Sequence, residues 1–135
     1  MASTVTELLR RRFGGKKEVD PLEGWEVGYR QSGGGDGIVA DANFIRSPFL
    51  TIPNGCTEIY IYHPTNISVG NRMRYYNSNK EYMDFSPQYG INTSTAFNVP
   101  TNSAYLRVSF LIECIDNCYI KDDTNNQYIW KGKNV

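Results

Sequence analysis

The sequence predicts an all-β fold, an antiparallel β-sandwich of about eight strands, preceded by a short N-terminal helix. Three observations predict it. Residues 105–110 alternate strictly, with Tyr105, Arg107 and Ser109 on one face and Leu106, Val108 and Phe110 on the other; period-two alternation bounded by turn residues is the pattern of a half-buried antiparallel strand. Short runs of the same kind recur from Trp25 onward, separated by Gly, Pro and Asn clusters, as in sandwiches and barrels. Nothing repeats at a fixed period, which excludes a solenoid.

The elements follow in order. Residues 3–13, STVTELLRRRF, predict a helix. Thr4 and Glu7 have capping-box spacing, the hydroxyl meeting one orphan N–H and the carboxylate another. Val5, Leu8, Leu9 and Phe13 share one face, and Gly14-Gly15 ends the helix. Burying Leu8, Leu9 and Phe13 contributes about 5–8 kcal/mol, while ordering costs about 1 kcal/mol or more per residue. So the arm is close to balanced alone and needs a partner surface or several copies.

Residues 18–24 read as a linker, and residues 25–135 as the sandwich domain. The strands expected are Trp25–Arg30, Phe44–Ile52 (broken by Pro48), Thr57–Tyr62, Met73–Tyr76, Tyr82–Phe85, Thr95–Val99, Tyr105–Ile112, Cys118–Lys121 and Gln127–Lys131. Asn77–Lys80, the turn after Pro100 and Asp122–Asn126 join them as turns, by the chemistry of Asn and Asp at such sites.

At 135 residues, one domain is expected. The formal net charge is zero, but it is unevenly placed. Residues 1–17 hold five basic residues against Glu7, for +4; the remainder holds nine basic and thirteen acidic, for −4. There is no apolar run of eighteen residues, so no membrane-spanning helix is expected. No secretory leader is read, so the chain is expected to be made in a cytoplasm. Three cysteines, Cys56, Cys114 and Cys118, are an odd number for a disulfide framework and read as small apolar packers. Zinc takes about four ligands, and the single histidine, His63, stands in another segment, so no metal site is expected.

Several chemistries are weighed and set aside. The Gly-rich loop over residues 32–37 lacks the Gly-Lys-Ser/Thr of a phosphate loop and no helix follows it. Asp116, Asp122 and Asp123 cluster at strand ends, where Asp serves turns rather than acid/base catalysis; a calcium site there is the lesser reading. His63 has no partner nucleophile in a recognisable motif. The chain is therefore expected to be non-enzymatic and to carry no cofactor. Trp25, Tyr29, Tyr75, Tyr76, Tyr82, Tyr89 and Trp130 are the candidate aromatics for stacking on sugar rings, against the alternative that about half lie in the core. Arg10, Arg11 and Arg12 could meet phosphates, but the apolar residues beside them favour a protein groove.

The apolar strand closing in Pro-Asn-Gly (Leu50–Gly55), the Tyr-Tyr-Asn-Ser-Asn-Lys turn (Tyr75–Lys80), FNVPTNSAYLRVSF (Phe97–Phe110) and YIKDDTNNQYIWKG (Tyr119–Gly132) resemble the jelly-roll modules of bacteriophage head fibres, tail fibres and related virion proteins, which are similar to carbohydrate-binding modules. The resemblance covers residues 38–132. It implies a jelly-roll and a virion structural role, of head-fibre or capsid-decoration type. Val5, Leu8, Leu9, Arg10, Arg11, Arg12 and Phe13 would then anchor the chain to other virion proteins of capsid or tail. The expected assembly is a homo-oligomer, a trimer being favoured, with surface glycans as possible ligands and with neither membrane nor nucleic acid as a partner. The alternative is a carbohydrate-binding adhesin module.

Overall fold

The computed structural model describes residues 20–31, 35–67, 71–90 and 94–135; the helix and anchor expected over residues 1–17 lie outside the described residues. The chain runs β1 (Glu26–Gln31), β2 (Ile38–Arg46), β3 (Leu50–Thr51), β4 (Glu58–Tyr62), β5 (Asn71–Tyr76), β6 (Tyr82–Tyr89), β7 (Ser94–Asn98), β8 (Tyr105–Arg107), β9 (Ser109–Leu111), a 3-10 helix over Ile112–Asn117, β10 (Tyr119–Asp122) and β11 (Gln127–Lys131). All pairings are antiparallel. Hydrogen bonding defines three sheets, ordered β1-β2-β9, β3-β8-β5-β6 and β11-β10-β4-β7.

The first two sheets are joined end to end. β2 pairs with β9 from Phe44↔Leu111 to Arg46↔Ser109, and β3 pairs with β8 at Leu50↔Leu106 and Thr51↔Tyr105. Between them Ser47 substitutes for a regular rung. Its N–H donates to the Val108 carbonyl at 2.8 Å, and its hydroxyl accepts from the Val108 N–H at 2.9 Å. Pro48 has no N–H for a ladder, so the run Phe44–Ile52 breaks there. Its partner, expected as one strand over Tyr105–Ile112, breaks opposite it at Val108. These two breaks are why the described residues form eleven strands where nine runs were read. The pairs β5–β6, β4–β7 and the ribbon of β2/β3 with β9/β8 are nested in sequence. β10 then lies beside β4, and β11 beside β10.

Alternation decides the core. Ile59 and Ile61 of β4, Phe97 of β7, Ile120 of β10 and Trp130 of β11 join Ile45, Met73, Leu106, Val108 and Phe110 in one buried cluster. The Phe110 ring lies 6.0 Å from Trp130 and 6.2 Å from Trp25, and the two indoles lie 4.7 Å apart. Aromatic pairs at such distances add to the area term. The described part of the expected linker, residues 20–24, is a turn packed on this core. Leu22 is buried, and the Pro21 carbonyl accepts the Trp130 indole N–H at 2.6 Å.

Two polar groups complete the frame. The Tyr89 hydroxyl donates to the Ser109 carbonyl at 2.7 Å and accepts the Ser109 N–H at 2.9 Å, satisfying backbone groups of β9 in the interior. At the β10–β11 tip, the buried Asp122 carboxylate accepts the N–H groups of Thr124 and Asn125, both at 3.0 Å, and the side-chain amides of Asn125 (2.7 Å) and Gln127 (3.3 Å). Lys80, Asn102 and Asn126 take φ of 63°, 70° and 56° in the three turns read from sequence.

Candidate functional site

Two features carry chemistry. The first is the outer face of the β11-β10-β4-β7 sheet. In β4, Ile59 and Ile61 point inward, so Tyr60 and Tyr62 point out. In β10, Ile120 is buried, leaving Tyr119 and Lys121 on the outside. The register sets Tyr119 opposite Tyr62 and Lys131, and Lys121 opposite Tyr60 and Tyr128. Four tyrosines from three strands therefore share one face.

Their rings are ordered. Tyr62 and Tyr119 stack at 5.2 Å with planes 12° apart, and Tyr60 and Tyr119 at 6.1 Å and 22°. Tyr128 stands edge-on to Tyr119 at 5.5 Å, with the Lys131 ammonium 5.4 Å from its ring centroid. Tyr128 is 48 % exposed, and the other three are half-buried. Burial, with the phenols of Tyr60, Tyr128 and Tyr62 around it, pushes the Tyr119 hydroxyl up, so Tyr119 is a neutral donor at neutral pH. The strip offers flat apolar rings with hydroxyls at their edges, the combination that suits the C–H face and hydroxyl rim of a sugar.

These are not the aromatics singled out from sequence. Trp25, Tyr75, Tyr76, Tyr89 and Trp130 are all buried and present no ring face to a ligand. Trp25 and Trp130 flank Phe110, the Tyr75 hydroxyl donates to the Asn98 carbonyl at 3.4 Å, and Tyr76 donates to the Asp36 carboxylate. Tyr82 is half-buried, edge-on to Tyr76 at 6.2 Å. Tyr29 is exposed, but on β1 in another sheet. The seven residues thus form no common platform. The signal for this strip was present: the alternation of Thr57–Tyr62 fixes Tyr60 and Tyr62 on one face opposite two isoleucines. The anchor residues Val5, Leu8, Leu9, Arg10, Arg11, Arg12 and Phe13 lie outside the described residues.

The second feature is buried. His63, just past β4, meets Cys114 of the 3-10 helix and Cys118 at its end. Cys114 Sγ lies 3.2 Å from His63 Nε2 and 3.9 Å from Nδ1. The Cys118 thiol donates to the Cys114 carbonyl at 3.2 Å. A hydrogen bond from Cys118 holds the Cys114 thiol down, against the upward push of burial and with His63 adding to the effect; Cys118 is pushed up correspondingly. The sequence placed the two cysteines and the histidine in separate segments, and the fold brings them together. Cys56 stays apart, its thiol pushed up to about 12 by burial and the Asp122 carboxylate.

A surface cavity of about 580 Å³ is lined by Ala42, Asn43, Asn66, Leu111, Ile112 and Glu113. Among the described residues no helix is long and apolar enough to cross a membrane. No protein-family model, no curated protein and no solved structure matches this chain.

Proposed function

We propose that this chain is a non-enzymatic structural protein of a bacteriophage virion, a head-fibre or capsid-decoration component. Its N-terminal arm anchors it to another virion protein, and its sandwich is the displayed part. The observation that carries the reading is the nested strand pairing. Pairs β5–β6, β4–β7 and β2/β3 with β9/β8 are the connectivity of one long antiparallel hairpin rolled over itself, which supports a jelly-roll. The departure from that plan is at the edge, where β1 lies on β2 while β11 takes the place beside β10. The sequence resemblance over residues 38–132 adds the virion context. Oligomerisation as a trimer would multiply a weak anchor through effective concentration. The test deletes residues 1–17. The sandwich should keep its thermal transition and the virions should lose the protein; normal incorporation would remove the reading.

The alternative, a carbohydrate-binding adhesin module, is favoured by the strip of Tyr60, Tyr62, Tyr119 and Tyr128. It can coexist with display on a virion. On a glycan array, the wild-type sandwich should bind and Tyr119→Ala should lose most of that binding while staying folded. An array without hits would leave display as the sole role.

A further inference from the structure

We propose that His63, Cys114 and Cys118 form a binding site for a thiophilic metal ion, with zinc the best match, that ties the end of β4 to the 3-10 helix. The donor set is one imidazole nitrogen and two sulfurs, and all three ligand atoms lie within 4.8 Å of one another. Zn–S bonds near 2.3 Å and Zn–N bonds near 2.1 Å place tetrahedral ligand atoms about 3.5–3.8 Å apart. The observed Cys114 Sγ to His63 Nε2 separation of 3.2 Å therefore widens by about 0.4 Å to admit the ion, and the widest separation in the triad, within 4.8 Å, closes by up to about 1 Å.

A second, independent observation concerns the far side of the imidazole. His63 Nδ1 is hydrogen-bonded to the Thr65 carbonyl at 2.5 Å. A carbonyl can only accept, so Nδ1 is the donor in this contact, and Nε2 is the ring nitrogen that faces Cys114. A ring nitrogen fixed by a backbone carbonyl, with the opposite nitrogen free to ligate, is the outer-shell arrangement that orients metal-binding histidines. Apolar packing alone does not require that orientation.

The surroundings suit a buried ion that cross-links two segments of the chain. All three residues are buried, so the ion would exchange slowly. Three protein ligands leave one position of a tetrahedral ion for water. The ion would join segments about fifty residues apart in the chain, where loop closure makes a cross-link most useful. Each ligating thiol gives its proton to solvent on binding.

The test uses the full chain, purified with its thiols reduced and stripped of metal. Cobalt(II) chloride is titrated in as a spectroscopic probe and then displaced with zinc chloride. The expected result is a thiolate-to-cobalt charge-transfer band saturating at one equivalent and abolished by zinc, with a zinc-dependent rise in melting temperature. Cys56→Ser should leave the band intact, and Cys114→Ser and Cys118→Ser should each remove most of it. His63→Gln should weaken cobalt binding more than about tenfold. The wild-type titration needs no variant, so misfolding of a mutant cannot mask the answer. Absence of a saturable band, its survival in Cys114→Ser, or loss of two free thiols to a Cys114–Cys118 disulfide in protein isolated without reductant would overturn the proposal.

Discussion

Replacing Asp122 by Asn should destabilise the protein by about 2 kcal/mol at neutral pH, and the penalty should disappear in acid. Burial pushes this carboxyl up, but the donors from Asn125, Cys56 and Gln127 outweigh it and hold the group at about 2, below its ordinary 3.8. At about 1.4 kcal/mol per pH unit, that gap stabilises the folded chain by about 2 kcal/mol. A count of bonds gives a similar figure. In the Asn variant, the two backbone N–H bonds from Thr124 and Asn125 fall from the charged-acceptor range of about 1.5–3 kcal/mol to about 1 each, a loss of about 1–4 kcal/mol. The sign follows from the folded group titrating lower than the unfolded one. Its contribution is fully present above 3.8 and is lost as the pH falls toward about 2. Urea denaturation of wild type and Asp122→Asn, followed by tryptophan fluorescence from about pH 7 to about pH 2.5, measures this directly. A difference that stays constant over that range, or one below about 0.5 kcal/mol at neutral pH, the scatter of ordinary surface changes, would refute the reasoning.

Tyr89→Phe should cost about 1–3 kcal/mol, because it leaves the buried Ser109 N–H and carbonyl without the hydroxyl that serves both; amide exchange at Ser109 should accelerate, and unchanged protection there would count against the role. Gly90→Ala should cost more than about 1 kcal/mol in thermal melts, since Gly90 has φ of 83° and an added Cβ would run into the Ile67 side chain. Combining it with Ile67→Val should recover part of the steric share and none of the backbone share. Tyr62→Ala, on an outer face, should leave stability within about 1 kcal/mol and, on the adhesin reading, should reduce any glycan binding the wild type shows; equal binding by the variant would move the ligand away from the strip.

Local pattern determined the inward side chains of β4 and of residues 105–110, but neither the burial of Ser109 nor that of Met73, Arg74, Tyr75 and Tyr76, consecutive in β5. Ile59 and Ile61, and Leu106, Val108 and Phe110, alternate with polar or tyrosine neighbours and are all buried. That follows because consecutive side chains of a strand point to opposite faces whatever the strand pairs with. The turns at Asn102 and Asn126 were equally local, being set by asparagines that tolerate positive φ, and the turn at Lys80 is held by Asn77, whose side-chain oxygen accepts the Asn79 and Glu81 N–H groups.

Only the tertiary structure decided which inward and outward residues meet. Tyr62 lies against Tyr119, and His63 against Cys114, through pairing registers set by the whole sheet and not by either segment. The same reason governs the aromatics read as ligand contacts. Tyr76 and Tyr89 sit on strands like Tyr60 does, but loop and neighbouring-strand groups cover them: the Asp36 carboxylate and Phe49 meet Tyr76, and Ser109 meets Tyr89. A single strand's alternation distinguishes two faces; whether a face is then covered depends on elements far along the chain.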